Sequence, residues 1–155
     1  MPGWLRLKRN EMDPPRKEKI AGITVDVTMA PQDVPLAVRG VELDDDDRFL
    51  IEFRYADDEE WTYKDAQEGV QLRVGRHSGR LYGIEIPRGV VESQGGRVDL
   101  RFNMVEELID HQIDQLRRKN RSRRRSRWKQ SVVNNWQAAK RAIGQRRDDL
   151  FSATR

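Results

Sequence analysis

The segment Arg48-Phe49-Leu50-Ile51-Glu52-Phe53-Arg54-Tyr55 decides the fold class of this 155-residue chain. Large apolar side chains occupy every second position from Phe49 to Tyr55, while Glu52 and Arg54 point to the opposite side. This period of two is typical of a β-strand with one buried face and one solvated face. Because a single strand cannot bury its own apolar face, the segment predicts a sheet that is covered on one side.

The same alternation recurs on both sides of this segment. It predicts six strands, at residues 23–29, 36–43, 48–55, 70–74, 81–86 and 98–102. The connections are short and rich in acids or glycine, such as Asp44–Asp47, Asp57–Glu60 and Gly75–Gly79, which favours antiparallel pairing. Residues 61–69 are read as either a short helix or a loop.

At Asn103 the period of the apolar residues changes from two to 3.6. Asn103 and Glu106 have the spacing of a capping pair at a helix start. The pattern predicts two helices, at residues 104–118 and 131–143, with Gly144 ending the second. The sequence therefore predicts an α+β fold, in which a predominantly antiparallel β-sheet is followed by two C-terminal helices joined by an Arg-rich segment.

The formal charge of +4 is divided unequally along the chain. Residues 1–20 carry +3, residues 21–103 carry −7 and residues 104–155 carry +8. We interpret these parts as a basic N-terminal arm (1–20), an acidic antiparallel β domain (21–103) and a basic helical C-terminal extension (104–155). Such asymmetry bears on binding partners more than on the fold.

The composition excludes several functional classes. The chain has no cysteine, which removes disulfide scaffolds, thiolate zinc sites, iron–sulfur clusters and cysteine nucleophiles. No run approaches the roughly 18 apolar residues of a membrane span, and the basic first residues lack the apolar region of a signal peptide. We therefore expect a cytoplasmic protein with no membrane partner. We see no nucleophile–base pair or glycine-rich phosphate loop, and predict no enzymatic activity and no cofactor.

The hairpin within residues 70–86 carries a family resemblance. Its return strand reads Gly83-Ile84-Glu85-Ile86 after a glycine turn at Gly79. This block, with residues 48–55 as a preceding strand, resembles the small bacterial family known as domain of unknown function 2283, over about residues 48–91. The resemblance implies a compact β-rich module without an established reaction. It offers no catalytic residues and argues against an enzyme.

The connection between the two predicted helices is the strongest functional signal. Residues 117–129 contain nine basic side chains, seven of them Arg, and no acid. On a helix these charges would surround the axis and leave no face for a core, so the segment is either a linker or a helix ordered by an anionic partner. The predicted nucleic-acid-binding residues are Arg117, Arg118, Lys119, Arg121, Arg123, Arg124, Arg125, Arg127, Trp128 and Lys129. They predict a non-enzymatic nucleic-acid-binding accessory protein that contacts the phosphates of RNA or DNA with low sequence specificity.

Other interpretations of the same region stay open. The basic segment could meet an acidic protein surface, as in a structural, virion-assembly or regulatory protein, and a homo-oligomer is a further alternative. Trp128 could stack on an unpaired base or, with Val132 and Trp136, form a packing or self-association stripe. Val132, Trp136 and Ile143 are the residues predicted to bind a protein partner.

The acidic and histidine residues predict no metal site. The acidic runs lack the spaced ligands and central glycine of a calcium loop and are read as solvated turns. They could instead receive the basic segment, either within one chain or between copies, head to tail. His111 has Glu107 and Asp114 at helical spacing, but ion pairing on a helix surface explains that trio better than a metal does. His77 is placed in a polar turn.

Overall fold

The fold was analysed in a computed structural model, which describes residues 3–7, 16–20, 23–27, 34–93, 98–118 and 127–152. The strands are β1 (Leu5–Arg6), β2 (Arg16–Ile20), β3 (Ile23–Val27), β4 (Ala37–Leu43), β5 (Arg48–Arg54), β6 (Trp61–Asp65), β7 (Gln71–Gly75) and β8 (Leu81–Pro87). The helices are α1 (Arg88–Ser93), α2 (Val98–Arg118) and α3 (Arg127–Ser152). The predicted α+β fold is confirmed.

Six strands form one antiparallel sheet in the order β1-β4-β5-β8-β7-β6. The predicted strand at residues 48–55 is its third strand, paired with β4 on one side and β8 on the other. β2 and β3 pair with each other as a separate two-stranded hairpin. Part of the predicted N-terminal arm thus belongs to the sheet, because Leu5 pairs with Val38 of β4.

The core lies between one face of the sheet and helices α2 and α3. Phe49, Ile51 and Phe53 project from β5 into it, as their alternation requires, and they join apolar residues of both helices in one buried cluster. The C-terminal end of α3 approaches β4 closely at Gly40, where a Cβ would lie 2.8 Å from the Phe49 ring and 3.0 Å from the Leu150 carbonyl oxygen. No side chain larger than glycine fits there without a shift of this contact.

A buried polar network fixes α3 against the sheet. Asn135 accepts a hydrogen bond from the Leu81 amide (2.8 Å) and donates one to the Tyr55 hydroxyl (3.0 Å), which in turn donates to the Leu81 carbonyl (2.6 Å). The Trp136 indole donates to the Gly79 carbonyl (2.9 Å). At the other end of α3, Arg101 of α2 donates to the carbonyl of Phe151 (3.2 Å), which satisfies a group that the helix end leaves unpaired.

Three predicted helix boundaries are wrong. The second helix begins at Arg127 and not at residue 131. Residues 98–102 form the first turns of α2 and not a strand, so this helix begins six residues before the predicted start at 104, and the predicted capping pair Asn103–Glu106 lies inside it. Gly144 does not end the second helix, because α3 continues to Ser152 across a kink at Arg146 (φ −120°, ψ 15°), two residues after Gly144.

Residues 61–69, for which the sequence favours a short helix or a loop, contain strand β6 at Trp61–Asp65 and a short 3₁₀ turn at Gln67–Gly69. β6 pairs with β7 and forms the far edge of the sheet. Among the helices of the described residues, none combines the length and the apolar character that crossing a membrane requires.

Candidate functional site at one end of the sheet

The Arg-rich segment joins the ends of two packed helices. Arg117 and Arg118 form the last turn of α2 and are exposed. Arg127, Trp128 and Lys129 lie in the first turn of α3, although their side chains are outside the described part of the chain. The remaining predicted phosphate contacts also lie outside the described residues, namely Lys119, Arg121, Arg123, Arg124 and Arg125.

The two helices that flank this segment are held together and to the sheet. Lys140 of α3 pairs with Asp110 of α2 at 2.8 Å. Leu116, near the end of α2, packs against the core, and Val132, near the start of α3, is 2% exposed. The segment is therefore attached at both ends to a packed helix pair.

The start of α3 extends past one end of the sheet. Asn135 and Trp136 contact residues at the ends of β5, β7 and β8, whereas Phe151 contacts Phe49 at the opposite end of β5. Arg127 precedes Asn135 by eight residues, or about 12 Å of helix. The first turn of α3 thus lies at the end of the sheet that also carries the acidic run 57–60.

The residues predicted to bind a protein partner lie inside the protein. Val132, Trp136 and Ile143 are 1–2% exposed and belong to the core between α3 and the sheet. For Val132 and Trp136 the structure shows intramolecular packing, the alternative that their spacing had left open. Trp136 also has the ammonium of Lys64 5.3 Å from its ring centre.

The face of the sheet opposite the helices carries a second candidate site, a row of aromatic and charged side chains. The register places residues of neighbouring strands side by side: Arg39 pairs with Glu52, Glu52 with Gly83, Gly83 with Arg73, and Arg73 with Tyr63. Trp4, which precedes β1, stacks at the end of this row. We call this set the outer-face row; it comprises Trp4, Arg39, Glu52, Gly83, Arg73 and Tyr63.

Arg73 is the central contact of the outer-face row. Its guanidinium pairs with Glu85 at 2.8 Å and with Glu52 at 3.4 Å, and it stacks 4.5 Å from the ring centre of Trp61. The side chain crosses Gly83, where a Cβ would lie 2.9 Å from Arg73 Cδ. Glycine at position 83 therefore lets one arginine reach two carboxylates and an indole.

Trp4 is enclosed by two more guanidinium groups. Arg39 lies 4.3 Å and Arg54 5.1 Å from its ring centre. Arg39 also pairs with Glu52 at 2.7 Å. Such cation–π contacts contribute about 0.5–1 kcal/mol each at exposed sites and more where water is excluded.

A cleft opens beside this row, between Trp4 and Trp61. Its volume is about 340 Å³, near the lower limit of small-molecule sites. The cleft is lined by Trp4, Glu52, Phe53, Arg54, Asp58, Glu59, Trp61, Arg73 and Tyr82. Three of these side chains, Trp4, Trp61 and Tyr82, are aromatic and carry an N–H or O–H donor. Three others are carboxylates and two are guanidinium groups.

Two tyrosines near the cleft have perturbed hydroxyls. Burial raises the pKa of Tyr82 above its ordinary value, opposed in part by the hydrogen bond with Arg80. Desolvation, followed by the hydrogen bond with Glu85, raises the pKa of Tyr63. Both hydroxyls therefore stay protonated at neutral pH and can donate hydrogen bonds.

The acidic runs differ in their surroundings. Asp44–Asp46 form a 3₁₀ turn at the end of the sheet remote from the cleft, where Arg88 pairs with Asp44 (3.2 Å) and Asp47 (3.0 Å). The hydrogen bond to Asp44 raises the pKa of Arg88. In the other run, Glu59 accepts hydrogen bonds from the amide and the hydroxyl of Ser78 and so ties residues 57–60 to the β7–β8 turn.

The histidines are on the surface. His77 lies in the β7–β8 turn, and His111 contacts Gln115 at 3.1 Å on α2. Within the described residues no group of three His, Asp or Glu side chains has the arrangement of a metal site.

Sequence reasoning did not single out the outer-face row or the cleft. Alternation did place Glu52 and Arg54 on the solvated face of β5. The partners of these residues come from five other segments, and only the register of the sheet brings them together. The sequence contains one signal for this site. Trp61 and Tyr63 are two residues apart, as on one face of a strand, and they lie beside Arg73.

No family model, curated protein or solved structure matches this chain. The resemblance of residues 48–91 to domain of unknown function 2283 therefore stays a prediction.

Proposed function

We propose that the chain is a non-enzymatic nucleic-acid-binding accessory protein that contacts phosphates through residues 117–129. The observation on which the proposal rests is the density of charge, with nine basic residues in thirteen positions and no acid among them. Arginine predominates, and its planar fork matches phosphate oxygens in pairs. A surface of this kind gives affinity without sequence information, so we propose low sequence specificity on RNA or DNA.

The attachment of the segment to the fold supports the proposal. Its flanking helices are packed against each other and against the sheet. Arg117 and Arg118 are exposed at the end of α2, where they also complement the helix dipole. The interaction with the helix dipole accounts for the presence of Arg117 and Arg118. It does not account for the seven basic residues that follow them in the segment.

The charge of the neighbouring sheet supports contact confined to this segment. The carboxylates of Asp57, Asp58 and Glu60 are exposed at the end of the sheet where α3 begins. They repel a phosphate backbone that approaches from the sheet side. We therefore propose that α2 and α3, and not the sheet, face the nucleic acid.

The absence of cysteine from the sequence is compatible with a reducing compartment, so we propose a cytoplasmic location.

An acidic protein surface is the competing partner of residues 117–129. Apolar contact through Val132, Trp136 and Ile143 does not favour it, since these side chains are buried.

Two triple variants of equal net charge test the proposal. Arg123, Arg124 and Arg125 are changed to Gln in one, and Arg76, Arg88 and Arg147, all outside the segment, are changed to Gln in the other. Affinity for labelled duplex and single-stranded oligonucleotides is measured at fixed salt. We expect a loss of tenfold or more only in the first variant. Equal losses in both would show that net charge, and not the segment, causes binding, and would refute the proposal.

A further inference from the structure

We propose that the cleft between Trp4 and Trp61 binds the guanidinium group of an arginine side chain supplied by a basic peptide. This site is separate from the Arg-rich segment, and the inference does not rest on the proposed nucleic-acid binding. The cleft lies on the face of the sheet opposite α2 and α3 and has a volume of about 340 Å³. That volume suits one side chain and not an extended polymer.

The charge around the cleft favours a cation. The carboxylates of Glu52, Asp58 and Glu59 line it, and Asp57 and Glu60 are exposed beside it, against the guanidinium groups of Arg39, Arg54 and Arg73. Glu52 is held between Arg39 and Arg73, and Glu59 is hydrogen-bonded to Ser78. Asp58 is exposed and makes no ion pair with any residue that the structure describes. It is therefore the carboxylate available to a ligand.

The aromatic lining favours a planar cation. In the cleft the two indoles already contact guanidinium groups, Arg39 and Arg54 at Trp4 and Arg73 at Trp61. Their rings are half-buried and border the same cavity. Arginine stacks on aromatic faces and pairs with carboxylates in two-point geometry, whereas the compact lysine ammonium does so less well.

A nucleobase is the competing occupant, because indoles also stack on bases. The carboxylates argue against it. Any base that enters the cleft brings its phosphates close to Asp58 and to the exposed neighbours Asp57 and Glu60. That repulsion is absent for a basic peptide.

The indole N–H resonances of ¹⁵N-labelled full-length protein report on the site. They are assigned with Trp4→Phe and Trp61→Phe and followed during titration with a peptide of the sequence of residues 117–129, and with its all-lysine analogue. We expect the Trp4 and Trp61 signals to shift while that of Trp136, which is 1% exposed, stays fixed. We expect the lysine peptide to bind at least about threefold more weakly. A single-stranded oligonucleotide that shifts these two signals, when the arginine peptide does not, would overturn the assignment.

Two isosteric variants provide the matched control. Asp58→Asn removes the unpaired carboxylate of the cleft, and Asp46→Asn removes an exposed carboxylate at the far end of the sheet. We expect the first to weaken the peptide about threefold and the second to leave affinity unchanged. Equal effects would show general charge attraction and would contradict a site. Since both positions are exposed, neither variant threatens the fold.

Sedimentation velocity over a range of concentrations distinguishes the two sources of the arginine. Self-association that Asp58→Asn abolishes would identify a second copy of this chain as the source. A monomer at every concentration that still binds the peptide through Trp4 and Trp61 would assign the arginine to a different basic protein. Either result upholds the cleft as the binding site.

Discussion

Single buried contacts hold the helices to the sheet, and Asn135 is the clearest case. It is 1% exposed and makes two hydrogen bonds that join α3 to Tyr55 and Leu81. We predict that Asn135→Ala lowers the free energy of unfolding by about 1–3 kcal/mol, because it leaves the Leu81 amide unsatisfied. Chemical denaturation checks this against Asn134→Ala, which removes only an exposed hydrogen bond with Gln130. Equal stability of the two variants would contradict the role of the network.

The ion pairs of the outer-face row are also tested residue by residue. Glu85 is 3% exposed and depends on Arg73 for its charged hydrogen bond at 2.8 Å. We predict that Arg73→Met costs about 3 kcal/mol of unfolding free energy, since it leaves a buried carboxylate without its cation. We expect the double variant Arg73→Met, Glu85→Gln to regain most of the lost unfolding free energy, because it no longer buries an unpaired carboxylate. Arg76→Met, which removes an exposed pair at 3.7 Å, is the control and changes stability little. No recovery in the double variant would disprove the pairing.

The buried tyrosine predicts a stability change in alkali. Burial raises the pKa of Tyr82 above the ordinary value of 10.0. The folded state therefore favours the neutral phenol, and this contribution is complete below about pH 10 and lost as the pH rises through the raised pKa. We predict that the stability advantage of the native chain over Tyr82→Phe shrinks above pH 10. Thermal unfolding at neutral and alkaline pH measures it; a constant or widening advantage would contradict the account.

At the scale of elements, the strand positions followed from alternation, and the errors have physical causes. Val98, Leu100 and Phe102 are two apart, as in a strand, but Val98 and Phe102 are also four apart, as on one helix face. Leu100 is 41% exposed and contributes nothing to the buried face. Packing of Phe102 against α3 stabilises the helical conformation of residues 98–102. The sequence of these five residues alone contains no sign of that contact.

Gly144 is the second element-scale error and gives a prediction. A glycine after the last periodic residue is typical of a helix end, but here the helix continues because Leu150 and Phe151 bury against the sheet. A Cβ at position 144 would lie 3.4 Å from the Phe102 ring, an ordinary contact. We predict that Gly144→Ala raises the free energy of unfolding by about 0.5–1 kcal/mol. Denaturant titration checks this, and a destabilised variant would mean that Phe102 cannot accommodate the methyl group.

The candidate sites were predictable to different degrees. The Arg-rich segment is continuous in sequence and was evident from charge alone. The cleft is formed by Trp4, Glu52, Trp61 and Arg73, which come from four segments of the chain. The register of β7 against β8 shifts between Arg73 and Val74. No local pattern encodes that pairing, because the register depends on the whole sheet.

On the scale of the whole molecule, the helix that follows the Arg-rich segment begins at the end of the sheet that carries an acidic run. The start of α3 and the acidic run 57–60 both lie there, while the run 44–47 lies at the far end. Among the described residues, Arg117 and Arg118 are exposed at the end of α2, and the carboxylate-lined cleft lies on the sheet face opposite the helices. If both proposals hold, this arrangement separates a surface for polyanions from a site for a cation.

The affinity of the intact chain for a short nucleic-acid duplex, measured from about 50 to 200 mM salt, tests the central claim most directly. If the segment neutralises roughly five to nine phosphates, the logarithm of the binding constant falls against the logarithm of salt concentration with a slope of about −5 to −8. Changing Arg123, Arg124 and Arg125 to Gln should reduce the steepness by about 2 to 3. A flat salt dependence, or a slope that this triple variant leaves unchanged, would contradict phosphate binding by residues 117–129.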